Sequence, residues 1–450
     1  MTLDDKVSKY IITTAQRGAP PHKKFIESLE SAASYHDAEI LILPTNGQAP
    51  TSKSSSEDEL LHPSLQKHSI VDGDMPIHRD LDIRRFPVKA QQIDPLTGWG
   101  RFVQYDKSAI FASPKQRMQV IPNSNTHKPK VLMTTGACTM PHYRDGNWDT
   151  KARLDHVFGG ILVEANKDAF HYRQLQANTT GRMYDLGIEF AGAATPMYDR
   201  AEALVLGDLH TGAINDEVLK ATKELIAELR PKYLIIHDLF DAYSISHHHQ
   251  KQLMIRAAKA KAGGDDLESE LNMCGETLDT LQALLPEDGA VIVVKSNHDE
   301  FIERYLQEGR FTDDPKNLDL SCKLAQDYLQ GADPLERGIE YTHGKVPAVT
   351  FLGRDDDFKV RGYQLANHGD LGANGARGSI RSMENSTGKS ISGHAHSPQI
   401  QRNTWVVGTS TNLQLEYNRG ASSWLNTHCA LYPHGRPQLI NIIDGKYRLD

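Results

Sequence analysis

The chain has 450 residues, 39% of them hydrophobic and 24% charged, and a formal net charge of −8 at pH 7. That length exceeds what one core usually holds, so two domains are expected, and no uninterrupted apolar segment is long enough to cross a bilayer. The four cysteines, Cys138, Cys274, Cys322 and Cys429, lack any C-x-x-C spacing, which argues against a thiolate zinc site or a disulfide framework and suits a reducing compartment.

The opening MTLDDKVSKY carries acids where a secretory signal carries bases, so a cytoplasmic protein is expected. YIITTA, the helical spacing of Phe25, Ile26, Leu29, Ala32 and Ala33, and EILILPTNG then predict one βαβ unit. GQAPTSKSSSEDELLHPS, rich in Ser, Pro and charge, is expected to be a surface loop or linker. Between Arg101 and Lys130 the chain is basic, with Lys107, Lys115, Arg117 and Lys128 against the single acid Asp106; this predicts a solvated face or a phosphate-tracking surface. KVLMTTGA, FGGILVEA and FHYRQLQA follow as strands, and no catalytic constellation shows in this half.

From about residue 200 the pattern alternates strand and helix, which predicts a mainly parallel sheet whose ligands gather at the carboxyl ends of its strands. ALVLGD is the first strand. Asn215 or Asp216 caps a helix with the stripe Val218, Ala221, Leu225 and Leu229, ended before Pro231. YLIIHD and, after a long polar helical region, AVIVVKSNHD give two more strands, the last leading into the helix EFIERYL.

Polar clusters sit where each strand ends. ALVLGDLHTG offers Asp208 and His210, two apart and so on one side of an extended chain. HDLFD offers Asp238 and Asp241; SNHDE offers Asn297, His298 and Asp299; LANHGDLG offers His368 and Asp370; ISGHAHSP offers His394 and His396. Taken singly, each has a plainer reading: Asn297 suits a helix cap, for example, and the run His247 to His249 a polar helix start. Taken together they are oxygen and imidazole donors without sulfur, a set that suits Mn2+, Fe2+, Zn2+ or Ni2+ better than Mg2+.

D-L-H, D-L-F-D, N-H-D, H-G-D and G-H-A-H, in that order over roughly residues 200 to 415, resemble the calcineurin-like metallophosphoesterases. The resemblance implies a metallophosphoesterase-type layered α/β sandwich over 196–450, preceded by a smaller α/β domain over 1–195. It implies Asp208, His210 and His396 on one divalent ion, Asn297, His368 and His394 on a second, and Asp238 bridging both. His298 would protonate the leaving group, with Asp241 orienting it, after attack by a metal-bridging hydroxide. Two glycines of the family pattern are replaced, by His237 before Asp238 and by Ser296 before Asn297, so the loops there are expected to run differently.

The preferred metal is Mn2+, and the expected substrate is DNA, since the chain also resembles the Mre11-like nuclease branch and phage-encoded DNA-degrading nucleases. Arg377 and Arg381, in a glycine-rich loop after His368, are candidates for substrate phosphates. A phosphomonoesterase acting on a nucleotide or phosphoprotein is the alternative, and a non-catalytic scaffold the remote one. No membrane partner is expected, and homo-oligomerisation is left open.

Overall fold

The structure, a computed structural model, describes residues 7–46, 60–89, 92–103, 107–124, 130–143, 147–415 and 418–449. Most of the Ser-rich segment, together with Asp106 and Lys128, lies outside them. The described strands form sheets of five, three, six and ten strands, and helices cover one face of the six-stranded sheet. The class is α/β, as expected.

The βαβ unit is strand Ser8–Arg17, helix Lys23–His36 and strand Glu39–Asn46, the two strands pairing in parallel with Tyr10 opposite Glu39. His22 Nδ1 caps the helix by accepting from the Phe25 amide, and Asp37 ends it at a φ of 54°. The three later runs are strands Val131–Thr135, Gly159–Ala165 and Phe170–Gln176.

In the second half, Ala203–Val205, Tyr233–His237, Ala290–Val294 and Val349–Leu352 lie in parallel, and the antiparallel strands Thr427–Leu431 and Pro437–Asn441 complete the sheet. Alternation decides its two faces. Leu204, Leu234, Ile236, Val291 and Val293 pack beneath Ala221, Leu225 and Leu229 of helix Asp216–Leu229 and beneath Leu271 and Leu278 of helix Leu267–Gln282. Val205, Ile235, Ile292 and Val294 face the other way, against Met118 and Met133 of the ten-stranded sheet and its Ile391 and Trp405. Asn215 caps the first of these helices, accepting from the Glu217 and Val218 amides.

The ten-stranded sheet joins the two halves of the chain. Gln116–Val120 pairs with Val131–Thr135 on one side and with Gln399–Gln401 on the other, so hydrogen-bonded strands stand on both sides of the division expected near residue 195. The basic stretch requires a correction. Lys115 and Arg117 are buried, and Asp155 lies 3.3 Å from the Lys115 ammonium and 4.0 Å from the Arg117 guanidinium, while also pairing with Arg402 at 2.9 Å. Strand alternation turned these two cations inward, where Asp155 offsets the cost of burying them. Lys107 pairs with Asp82, and Arg101 rests over the Phe102 ring. No helix among the described residues is long and apolar enough to cross a membrane.

Candidate metal centre

The polar clusters occupy loops that follow strands Ala203–Val205, Tyr233–His237, Ala290–Val294, Tyr363–Gln364 and Ser390–Ser392. Backbone bonds lash these loops together: the Leu209 amide donates to His237 O at 3.0 Å, His210 to Asp238 O at 2.6 Å, Asp208 to Gly408 O at 3.0 Å and Gly393 to His368 O at 2.7 Å. Four candidate ligands have left-handed backbone, with φ of 46° at His210, 47° at Asp238, 70° at His394 and 53° at His396. Such conformations cost energy at non-glycine residues and persist where the surroundings over-determine them.

Two donor groups result. In one, His210 Nε2 lies 3.1 Å from His396 Nε2 and 3.3 Å from Asp238 Oδ2, and His396 Nε2 lies 3.1 Å from Asp208 Oδ2. In the other, Asn297 Oδ1 lies 3.1 Å from both His368 Nε2 and His394 Nδ1, and His368 Nε2 lies 3.4 Å from Asp238 Oδ2. Asp238 touches both. Ligands each about 2.1 Å from a shared ion stand roughly 3 Å apart, so these spacings suit a cation at each group. The charges agree: Asp208 and Asp238 are fully enclosed, and neither oxygen of Asp208 nor Oδ1 of Asp238 has a hydrogen-bond partner. Burial and the neighbouring Asp238 charge push the Asp208 carboxyl well above the ordinary range. Burial also opposes ionisation of Asp238, yet the imidazoles of His368 and His210 hold it well below that range. Two enclosed carboxylates with unsatisfied oxygens and four imidazoles are a set that divalent ions would fit.

Asp241 Oδ1 lies 2.9 Å from His210 Nδ1, so its carboxylate orients that imidazole first. Its link to His298 is mainly through the backbone: His298 Nδ1 is 2.9 Å from Asp241 O and 3.8 Å from Oδ1. Carboxylate partners of this kind sharpen metal binding. Asp241→Asn is therefore expected to weaken Mn2+ affinity about 10- to 100-fold with the fold intact, as read by calorimetric titration; unchanged affinity would refute the role.

Both replaced glycines have explanations. Ser296 exchanges hydrogen bonds with Asp299: its amide donates to Oδ2 at 3.0 Å and its Oγ accepts from the Asp299 amide at 3.1 Å. Asp299 Oδ1 also accepts from the Phe240 amide, tying the Asn297 loop to the Asp238 loop, and burial with the nearby Asp238 charge raises its pKa to about 7. The His237 ring is fully buried 5.5 Å from that of His368, and burial lowers its pKa to about 4. The glycine of G-H-A-H is the one the packing demands, because a Cβ on Gly393 would overlap Asp208 Oδ1 and crowd His237 Cβ.

Asn297 caps no helix; its side chain is spent between two histidines. His247–His249 forms a 3-10 turn packed on Phe301. Arg377 and Arg381 are exposed, Arg381 in the first turn of helix Ile380–Thr387. Two supports escaped the sequence reading. Arg354 grips Asp370 with both guanidinium amines, at 2.7 and 3.0 Å, and Glu300 at 2.7 Å, holding the His368 loop against the His298 loop. His428 Nδ1 accepts from the Gly207 amide at 2.9 Å, and its Nε2 faces Thr222 Oγ1 at 2.8 Å while that hydroxyl donates to Val218 O. No local motif marks either residue.

Protonation of His428 would set a second N–H against that of Gly207, and burial holds its pKa at about 3. Since the unfolded imidazole takes up a proton near 6.5, stability is expected to fall as pH drops from 6.5 toward 3, by about 1.4 kcal/mol per unit from this residue. Urea unfolding at pH 7 and pH 5 in chelator checks this. His428→Gln should show the shallower dependence, and equal slopes would exclude it.

No family model matches the chain. Protein A1 of Escherichia phage T5 is 29% identical over 475 aligned positions, covering 98% of this chain and 82% of that protein. Two crystal structures of Vps29 from Chaetomium thermophilum, one with a cyclic peptide, each share 11% identity with it. They cover 38% and 41% of this chain and 88% and 99% of theirs, at TM-scores of 0.24 and 0.26. Overlaps of that size fix neither fold nor activity. Over nearly its whole length, the chain is similar to a phage protein.

Proposed function

We propose that this chain is a calcineurin-like, dinuclear-metal-dependent phosphoesterase whose reaction is the hydrolysis of DNA phosphodiesters. The observation that carries the reading is the convergence of five strand-end loops on Asp238, with enclosed carboxylate oxygens left unsatisfied. The family order of the five motifs and the similarity to a phage protein support it. Two bound divalent ions, Mn2+ in the first instance, would supply an activated water and neutralise the phosphoryl oxygens.

The side chains would do the rest. Asp208, His210 and His396 would hold one ion, Asn297, His368 and His394 the other, and Asp238 both. Asp241, accepting from His210 Nδ1–H, would keep the Nε2 lone pair turned to the ion. His298 donates its Nδ1–H to Asp241 O, which leaves Nε2 as the ring atom to pass a proton to the departing alkoxide. Arg377 and Arg381 would contact flanking phosphates.

One observation favours a second reading. A cleft of about 900 Å³ opens beside His298, a volume that suits a single small ligand, and the described residues lining it all follow residue 210. A phosphomonoesterase acting on a nucleotide or phosphoprotein would use it so. Purified protein with Mn2+ or Mg2+, given linear duplex DNA, single-stranded DNA or p-nitrophenyl phosphate, separates the two. DNA loss that Asp238→Asn lacks supports the nuclease, and turnover of the monoester alone supports the second reading. A scaffold would keep its biological effect in His298→Ala.

A further inference from the structure

The cleft beside His298 has a built aromatic wall. Tyr243, 36% exposed, lines it together with Phe301, Met273 and Leu415. The Lys259 ammonium sits 4.7 Å from the centroid of the Tyr243 ring, and His249 meets that ring edge-on at 5.4 Å. A Cβ on Gly264 would approach Tyr243 Cε1 to 3.1 Å, so the glycine leaves the ring its place.

The tyrosine backbone is pinned as well. Its amide donates to Glu270 Oε1 at 2.8 Å, the Ser244 amide donates to Oε2 at 2.9 Å, and Lys259 Nζ donates to both Tyr243 O and Ser244 O. An aromatic ring that is both exposed and immobilised loses little entropy when something flat stacks on it. Phe301 continues the wall to the reaction centre: its ring stacks on that of His298 at 4.9 Å and 25°, and His247 meets it edge-on at 4.7 Å.

The lining also limits the charge of an occupant. Asp266 and Arg419 both face the cleft, and the Glu270 carboxylate is spent on two backbone amides, so charges of opposite sign line it and a neutral group with polar edges fits. Gln252, Ser246 and Ser269 offer hydrogen-bonding groups around it. A flat, neutral group with polar edges is a nucleobase. Bases stacked in a duplex cannot reach such a wall, whereas unpaired ones stack on exposed aromatic rings without regard to sequence.

Building on the nuclease reading, we propose that this cleft receives an unpaired nucleobase, stacked on Tyr243 beside Phe301, from the strand being cut at the adjoining metal centre. The preferred substrate is then single-stranded or frayed DNA.

The full chain with Mn2+ tests this on four substrates: a single-stranded oligonucleotide, a strand of equal length made wholly of abasic sites, linear duplex DNA, and a phosphotyrosine peptide. Wild type should cut the intact strand at a KM roughly 5- to 150-fold below that for the abasic strand. Tyr243→Ala should raise KM for the intact strand to the abasic value with kcat little changed, and Tyr243→Phe should retain the discrimination. Circular dichroism of both variants checks folding. If wild type cuts both strands with equal KM, or Tyr243→Ala still discriminates, the nucleobase pocket is overturned while the nuclease stands. If wild type degrades linear duplex DNA but neither single strand, the pocket alone is overturned; if it cuts no DNA, or hydrolyses the phosphopeptide in preference, both fall.

Discussion

Asp238→Asn is expected to empty both cation sites at once and to lower DNA hydrolysis at least about a thousandfold, a loss of some 4 kcal/mol of transition-state stabilisation. The amide keeps the shape and loses the charge. Asp238 Oδ2 stands 3.3 Å from His210 Nε2 and 3.4 Å from His368 Nε2, and among the described residues no other carboxylate lies against both histidines. Relief of the repulsion from Asp238 lets Asp208 ionise more readily, but Asp208 is then the one carboxylate left among the proposed donors, less negative charge than two divalent ions require. Calorimetric titration with Mn2+ should lose both binding events while circular dichroism stays unchanged. Retention of one ion at wild-type affinity would show that the two donor groups are independent.

His298→Ala is expected to act differently: turnover of DNA falls about 10²- to 10⁴-fold while Mn2+ binding is kept. The ring is held by Asp241 O on Nδ1 and by the Phe301 ring on its face, and it meets the His210 ring edge-on at 4.6 Å, so the Mn2+ titration also checks that the His210 donor group survives the deletion. The loss should shrink for a p-nitrophenyl ester, whose leaving group needs no proton. Equal losses on both substrates would make His298 a positioning residue.

The site was legible in the sequence wherever its chemistry is local. Asp208 and His210, or His394 and His396, announce themselves as close pairs of donors after apolar runs, although left-handed backbone at His210, His394 and His396, not strand alternation, aims them, and helix Asp216–Leu229 announces itself because its cap and its apolar stripe fall at short range. What escaped depends on partners far along the chain. His428 reaches Gly207 across 221 positions, and Lys115 and Arg117 read as a basic surface because composition does not say which way a strand residue points. Asp155, which turns that basic run into an interior ion cluster, lies beyond it in sequence, and Arg402 joins from the far half of the chain.

The pairing of Gln116–Val120 with Gln399–Gln401 bears on how the polypeptide can be divided. Proteolysis near residue 195 would leave two fragments still zipped together by main-chain hydrogen bonds. Expressing residues 196–450 alone would bare Gln399–Gln401 as an open sheet edge and expose the apolar faces of Ile400 and Trp405, inviting self-association. The half that carries the candidate metal centre thus has the first half as its structural template, whether or not that first half ever touches a substrate.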